Sequence, residues 1–362
     1  MRSIANDQVT ARQMASLLFS FMTGSSIIFV PGTLITIAGN DSWISMLFGL
    51  ADCLMMVALM LALYRFQGGT DFVSYCRSRL GPVAAGVLAL PFALYLTIMI
   101  AWITMGVSDF LTGTSMRNTP DYLFNGVILA TAAMTVRAGF EVMARISVLI
   151  FAILVMLAAA VLLLSTPNMT FSFLLPVLHN GWMPVLKGSY FLIGFPFGEI
   201  IIFMMLLHYT RREDTGVLGR NLAMAVTLNW VLLLAVVLAT ILVFGPIAGE
   251  VNYSLYSVSR LIDVAEFFQR IEAVIGISLI AGSYVKATVA LFALNELFYR
   301  LLNGTDEKFM AFPAAAVCFL LTLTFFDFEA EFRDKFTMYW PLMLVLAVAP
   351  VVLSGIAAAL KR

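Results

Sequence analysis

About ten long, nearly unbroken apolar runs dominate the sequence, and they leave few folds open. A helix needs about 20 mostly apolar residues to cross a hydrocarbon layer about 30 Å thick. Runs near 11–38, 43–66, 82–110, 121–137, 146–165, 188–209, 218–247, 273–301, 311–326 and 338–360 reach or approach that length. The shortest are 121–137 and 311–326. The runs are continuous rather than alternating, which predicts helices and excludes a barrel. Composition points the same way. Of the 362 residues 62% are hydrophobic and only 12% charged, about half the charge of a soluble chain. Equal numbers of basic and acidic residues, 21 each, give no net charge and no reason to expect a nucleic-acid partner. Cys53, Cys76 and Cys318 are too far apart for a disulfide framework or a CxxC site. Two histidines, His179 and His208, are too few for a His-based metal centre. No Ser-His-Asp set, cofactor fingerprint or P-loop occurs. The expectation is a single all-α integral membrane domain over 1–362, not an enzyme, needing no cofactor and no ATP-driven motor.

The short loops set the direction of the spans through their Lys and Arg content. Arg117, Lys187, Arg260, Arg270, Arg333 and Lys335 fall on one side, and Lys286 lies within a span. The other 14 of the 21 basic residues, including Arg2, Arg12, Arg65, Arg211, Arg212, Arg220, Lys361 and Arg362, fall on the opposite side. Ten spans with both termini cytoplasmic give this separation, and one span more or fewer would scramble it. The first run is too long for a cleavable signal peptide. Segment 67–81 reads as a short amphipathic surface helix. Segments 166–187 and 248–272 read as external loops folding back over the helix ends.

Two spans carry interruptions. The first contains Thr23-Gly24-Ser25-Ser26 and Pro31-Gly32, and the sixth contains Gly194-Phe195-Pro196-Phe197-Gly198-Glu199. If the chain is two halves of five helices, these are equivalent positions. Matched Gly/Pro interruptions point to a binding site in transporters; taken singly, they also read as kinks or close-packing sites. A half-helix N-terminus suits a carboxylate, and unwound carbonyls suit an ammonium group, so the pair fits a zwitterion.

The order of short motifs resembles the spore-germination permease family, the membrane B subunits of nutrient germinant receptors, within the amino acid–polyamine–organocation transporter superfamily. The motifs are Gly24-Ser25-Ser26-Ile27-Ile28-Phe29-Val30-Pro31-Gly32, Ala38-Gly39-Asn40-Asp41-Ser42-Trp43-Ile44, Ala144-Arg145-Ile146-Ser147, Leu175-Pro176-Val177-Leu178-His179-Asn180-Gly181 and Pro184-Val185-Leu186-Lys187-Gly188-Ser189. They continue with Phe195-Pro196-Phe197-Gly198-Glu199, Tyr256-Ser257-Val258-Ser259-Arg260-Leu261-Ile262 and Gln269-Arg270-Ile271-Glu272. The resemblance implies ten transmembrane helices in an inverted 5+5 repeat of the LeuT/APC type with helices 1 and 6 broken. Repeat 1 then covers about 11–165 and repeat 2 about 188–360. It implies an amino-acid-sized pocket between helices 1, 3, 6 and 8. It further implies residence in a bacterial cell membrane or spore inner membrane, beside an A-type membrane subunit and a C-type lipoprotein. The pocket residues are then Thr23, Gly24, Ser25 and Ser26, Tyr95 and Met99, Phe195, Pro196, Phe197 and Gly198, and Ser283. Proton-coupled permeases of the superfamily tend to keep a lysine on helix 5, and span 146–165 has none.

Asp52, Glu199 and Lys286 lie well inside spans. Each costs about 2.5–3.5 kcal/mol at a helix centre, so each must face protein or water. In the implied architecture Lys286 sits where sodium-coupled relatives hold a cation. It reads either as a built-in or proton-exchanging charge, or as a brace paired with Glu199 or Asp52. Glu199 reads as a group neutralising the helix 6 break or as a helix-capping carboxylate, and Asp52 as a paired or water-lined structural group. Glu296, about 15 Å further along the helix, meets the basic cytoplasmic rim, where His208 also lies. Two functions share this pocket: a receptor subunit that binds a small germinant, an amino acid, and signals to partner subunits, or a secondary amino-acid permease linked to protons through Lys286 or Glu199. The topology is testable directly. Cysteines placed at Ser172 and Asn252 should react with an impermeant thiol reagent from outside intact cells; labelling only from the cytoplasmic face would overturn the orientation.

Overall fold

A computed structural model of the chain describes residues 7–262, 271–302, 308–325 and 337–360. Arg2, Gln269, Arg270, Arg333, Lys335, Lys361 and Arg362, used above for orientation and motif, lie outside the described residues. The described part is helical, its only strand-like pairing among these residues being one parallel bridge between Val9 and Thr210. Its helices are α1 (Ala11–Ala38), α2 (Ser42–Phe66), α3 (Phe72–Leu80), α4 (Pro82–Thr114), α5 (Asp121–Ala138) and α6 (Phe140–Leu164). They continue as α7 (Trp182–Leu192), α8 (Thr215–Phe244), α9 (Ser254–Arg260), α10 (Ile271–Leu302), α11 (Ala311–Phe325), α12 (337–343) and α13 (Val345–Leu360).

Among the described residues seven helical segments are long and apolar enough to cross a membrane. The first of them, Ala11–Phe66, holds both α1 and α2. A turn at Gly39, with φ +60, separates the two, and the Ser42 hydroxyl closes it on the Leu34 carbonyl at 3.1 Å. Outside the seven stand α5, of 18 residues, and α11, of 15, which correspond to the two shortest apolar runs. The sixth begins earlier than its apolar core suggests, at Trp182, because the amphipathic turn 182–187 is already helical.

One expectation fails: α1 is unbroken from Ala11 to Ala38. Each small polar residue that suggested unwinding finds a partner while remaining helical. The Ser26 hydroxyl donates to the Met22 carbonyl at 2.5 Å, the usual way a serine is absorbed inside a helix. Asn229 of α8 donates to the Thr23 hydroxyl at 2.8 Å. Gly24 lies against Gly282 of α10, so the two backbones touch. The glycine serves close packing rather than a change of direction. The sixth span does break. After α7 come a wide turn at Ile193–Phe197 and a tighter, 3₁₀-type helix at Gly198–Met205, with Phe195 extended at φ −140, ψ 118. Pro196 has no N–H to continue the α-helical ladder, which explains the position of the break.

The central helix is α1, packed against α8, α10 and α6. The α4 helix packs against α10, α5, α11 and α13, and the 3₁₀ part of segment six packs against α2 and α10. The loops near 166–187 and 248–262 fold back as expected. Thr36 on α1 donates to the Gly249 carbonyl at 2.6 Å, and Asn40 donates to the Pro176 carbonyl at 2.9 Å. Asp41 accepts the Leu178 N–H at 2.9 Å. The α3 helix is N-capped by Asp71 and buries Phe72, Val73 and Cys76, as an amphipathic surface helix should.

The contact of α1 with α10 sets a test. A Cβ on Gly282 would stand 2.8 Å from the Gly24 Cα, and one on Gly24 would overlap the Gly282 carbonyl. Gly24→Val or Gly282→Val should therefore lower folded stability by about 1–3 kcal/mol or more, read as a lower thermal midpoint of purified protein. An unchanged midpoint in both would show that the helices are not in contact there.

Candidate functional site

The sixth-span break carries Glu199 into the protein interior, and α10 brings Lys286 to meet it. Lys286 Nζ pairs with Glu199 Oε2, and the two side chains are 0% and 2% exposed. The ammonium also donates to Ser25 Oγ at 2.9 Å. It lies over the Phe195 ring at 4.4 Å and faces the Phe21 ring at 5.3 Å. The other carboxylate oxygen, Glu199 Oε1, accepts the Trp340 indole N–H at 3.1 Å. Tyr95 completes this wall, its ring 5.3 Å from that of Trp340. One cation, one anion and aromatic faces thus converge where α1, α4, segment six, α10 and α12 meet. Removing either charge leaves the other buried without compensation, while the rings favour a cation in front of them.

The helix periodicity explains who faces the centre. Gly282, Ser283 and Lys286 all face α1, Lys286 following Ser283 by three residues and Gly282 by four. Gly282 lets α1 close in, the Ser283 hydroxyl donates to the Gly24 carbonyl at 3.2 Å, and Lys286 reaches Ser25. On α4, Tyr95 and Met99 are both fully buried. The Tyr95 hydroxyl and Asn229 Oδ1 are among the buried polar atoms without a hydrogen-bond partner among the described residues.

Of the candidates read from sequence, Ser25, Phe195, Glu199 and Lys286 form one contact set, with Tyr95 beside it through Trp340. Thr23, Gly24 and Ser283 lie in the contacts of α1 with α8 and α10, where they hold helices together, while Ser26 bonds back within α1. Pro196 and Phe197 are buried at the break, with Phe197 turned toward Gly49 of α2. Gly198 does not open onto free space: a Cβ there would overlap Leu344 and the Ile193 carbonyl. Glycine at 24 and 198 therefore lets neighbouring protein approach closely. Asp52 is partly buried on α2 beside Ser189, and it is Glu199 that takes Lys286. Sequence reasoning missed Trp340, Asn229 and Phe21. Asn229 was detectable as a lone amide in the middle of an apolar run. Trp340 opens the last span and looks like an interfacial tryptophan, and Phe21 is one of 30 phenylalanines.

A second ionic cluster lies nearer the end of α10. Arg300 pairs with Glu296 at 2.7 Å and faces Asp71 at 3.7 Å, while His208 stands 3.9 Å from Glu296. Arg77 of α3 donates to the Arg300 carbonyl at 2.9 Å. Glu296 does meet basic groups rather than the central site. The cluster fastens α3 and the end of segment six to α10.

A double-variant comparison separates bracing from function at the central pair. Glu199→Gln or Lys286→Met alone should cost about 3–5 kcal/mol, seen as lost folded yield. The combined Glu199→Gln, Lys286→Met protein should regain most of that stability, since no charge is left unpaired. A double variant as unstable as either single one would show that the pair is not self-compensating.

The chain as a whole is similar to known proteins. The sequence matches the family described as spore germination protein over residues 8–328. It is 26% identical over 321 residues to spore germination protein KB of Bacillus subtilis (strain 168), covering 88% of this chain and 85% of that protein. It is 20% identical over 285 residues to spore germination protein XB of Bacillus anthracis, covering 78% and 77%. Among solved structures, a Na+-coupled sialic acid symporter in a substrate-bound outward-open state superposes with a TM-score of 0.69 at 12% identity, covering 95% of this chain and 80% of that one. A nucleobase-cation-symport-1 family transporter with bromovinylhydantoin bound gives 0.68 at 14%, covering 99% and 94%. MhsT in complex with L-phenylalanine gives 0.61 at 13%, covering 99% and 90%. The helices are thus arranged as in LeuT-type transporters, and the chain belongs to the spore germination protein family, as a non-enzymatic multi-pass membrane protein.

Proposed function

We propose that the chain is the B-type membrane subunit of a nutrient germinant receptor, binding a small zwitterionic germinant, an amino acid, at the Lys286–Glu199 centre. The observation that carries this reading is the buried ion pair itself, flanked by aromatic rings at the meeting point of α1, α4, segment six and α10. An amino acid carries the same two charges as the pair. Its carboxylate replaces Glu199 against Lys286, and its ammonium replaces Lys286 against Glu199 and the Phe195 ring. The Tyr95 hydroxyl and Asn229 Oδ1, which have no hydrogen-bond partner among the described residues, then supply further contacts. Family membership, the germination proteins KB and XB among its relatives and the transporter fold support this reading. In it the chain has ten spans as an inverted five-plus-five repeat, with both termini in the cytoplasm. It sits in the spore inner membrane with an A-type membrane subunit and a C-type lipoprotein.

A second reading, a secondary amino-acid permease, is favoured by the superposition on symporters. The receptor reading gives Lys286 the place of a built-in cation, and the permease reading links Lys286 or Glu199 to protons, so neither needs sodium. The experiment titrates purified protein with the twenty amino acids, with and without sodium, following the thermal midpoint. A binding amino acid should raise the midpoint, by an amount equivalent to about 2.7 kcal/mol at a hundredfold excess over its Kd, equally with sodium or potassium. Lys286→Arg should fold yet lose the shift, because a guanidinium is larger and planar. A shift that requires sodium, or full binding in a folded Lys286→Met protein, would refute the assignment. Uptake of the same amino acid into proteoliposomes would favour the permease.

A further inference from the structure

The beginnings of α1 and α8 meet at a cavity of about 740 Å³ that lies apart from the central site. Its walls are fixed by backbone contacts. The Val9 N–H donates to the Tyr209 carbonyl and the Arg211 N–H donates to the Val9 carbonyl, each at 3.0 Å. The Ala11 N–H donates to Asp214 Oδ2 at 3.0 Å. The acidic group lining the cavity is therefore already engaged. The basic groups are not: Arg12 and Arg220 both line it, both are exposed, and neither forms an ion pair among the described residues. From Arg220 a stripe of exposed apolar side chains climbs α8. Met224, Leu228 and Val231 are 63%, 39% and 48% exposed and follow one another at helical spacing on the face that Arg220 begins.

We propose that this cavity binds the headgroup of an anionic glycerophospholipid. Arg12 and Arg220 hold the phosphate, to which a guanidinium fork is matched in shape and charge. Asn221, which also lines the cavity, offers hydrogen bonds to the headgroup oxygens. One acyl chain lies along Met224, Leu228 and Val231. The position is chemically apt, because the arginines stand where an apolar span ends and the phosphate layer of a bilayer begins. Basic pockets between membrane helices at this level select anionic headgroups. A free phosphate ester shares the headgroup chemistry but makes no use of the apolar stripe, so the lipid is the occupant favoured here. Occupancy joins the two helices that carry Ser25 and Asn229 into the central site.

The test is native mass spectrometry of the full-length protein, released from micelles containing equal phosphatidylglycerol and phosphatidylcholine. The wild type should retain phosphatidylglycerol preferentially. Arg12→Gln and Arg220→Gln should each reduce that preference about fivefold, and together about 25-fold, at about one surface charge each. Unfolding curves identical to wild type show that the variants fold. The salt dependence of the wild type stands independently of them: the preference should weaken between about 0.1 M and 1 M salt, where screening shortens to about 3 Å. Equal retention of the two lipids by the wild type, an unreduced preference in the folded double variant, or a salt-independent preference would each overturn the site. Displacement of the lipid by glycerol 1-phosphate at equal concentration would overturn the lipid assignment in favour of a free phosphate ester.

Discussion

A full positive and a full negative charge are buried together in the interior of a membrane protein, and much of the architecture answers to that. Lys286 and Glu199 are nearly inaccessible and touch each other. Away from water neither can be left alone, so the elements carrying them must be held in register. The broken sixth segment delivers Glu199, and the glycine contact between α1 and α10 lets the Ser25 hydroxyl approach closely enough to share the lysine. Trp340 supplies the last hydrogen bond from α12. A change in any of these elements acts on the stability of the pair before it acts on anything else.

Glycine and small polar residues serve two different ends in the two spans where they cluster. In segment six, Gly194 and Gly198 flank a proline, the ladder cannot continue, and the chain departs from the α-helix. In α1, Pro31 lies a turn or more beyond Thr23–Ser26, each hydroxyl finds a partner, and the helix runs on. The same residue types therefore give a break in one place and a close helix contact in the other. What decides is whether proline falls among them and whether a neighbouring helix presents an equally small surface.

That difference also marks what could be read from sequence. The helical membrane class, the run boundaries of α1, α2, α5 and α10, and the surface helix α3 follow from local properties, namely run length, capping and turn residues. Lys286 and Glu199 stood out because burial of a charge in an apolar run demands a reason. Their pairing was visible only as one of several options, since it depends on how far apart in space residues 87 positions apart in sequence end up. Asn229 and Trp340 act through tertiary contacts, the first on Thr23 and the second on Glu199. Neither contact has a local signature. The continuity of α1 was hidden for the same reason, because Gly282, which makes Gly24 a contact residue, is far along the chain.

A site whose charges are already satisfied internally discriminates among ligands differently from an empty one. A zwitterion that separates Lys286 from Glu199 gives each a new partner, so the number of charge contacts is conserved and only their differences count. A ligand bearing a single charge satisfies one partner and strands the other. Breaking a buried pair in that way costs about 3–5 kcal/mol, about two to four orders of magnitude in affinity. Such a site rejects simple amines and simple acids without any steric filter. The cost of opening the pair also falls on the correct ligand, so part of its contact energy goes into the conformational change rather than into affinity. In the proposed receptor, weak binding coupled to a shift of α10 against segment six would suit a sensor of abundant nutrients, since α10 also carries Glu296 and Arg300. Through their contacts with His208 and Asp71, such a shift would be passed on to the start of α3.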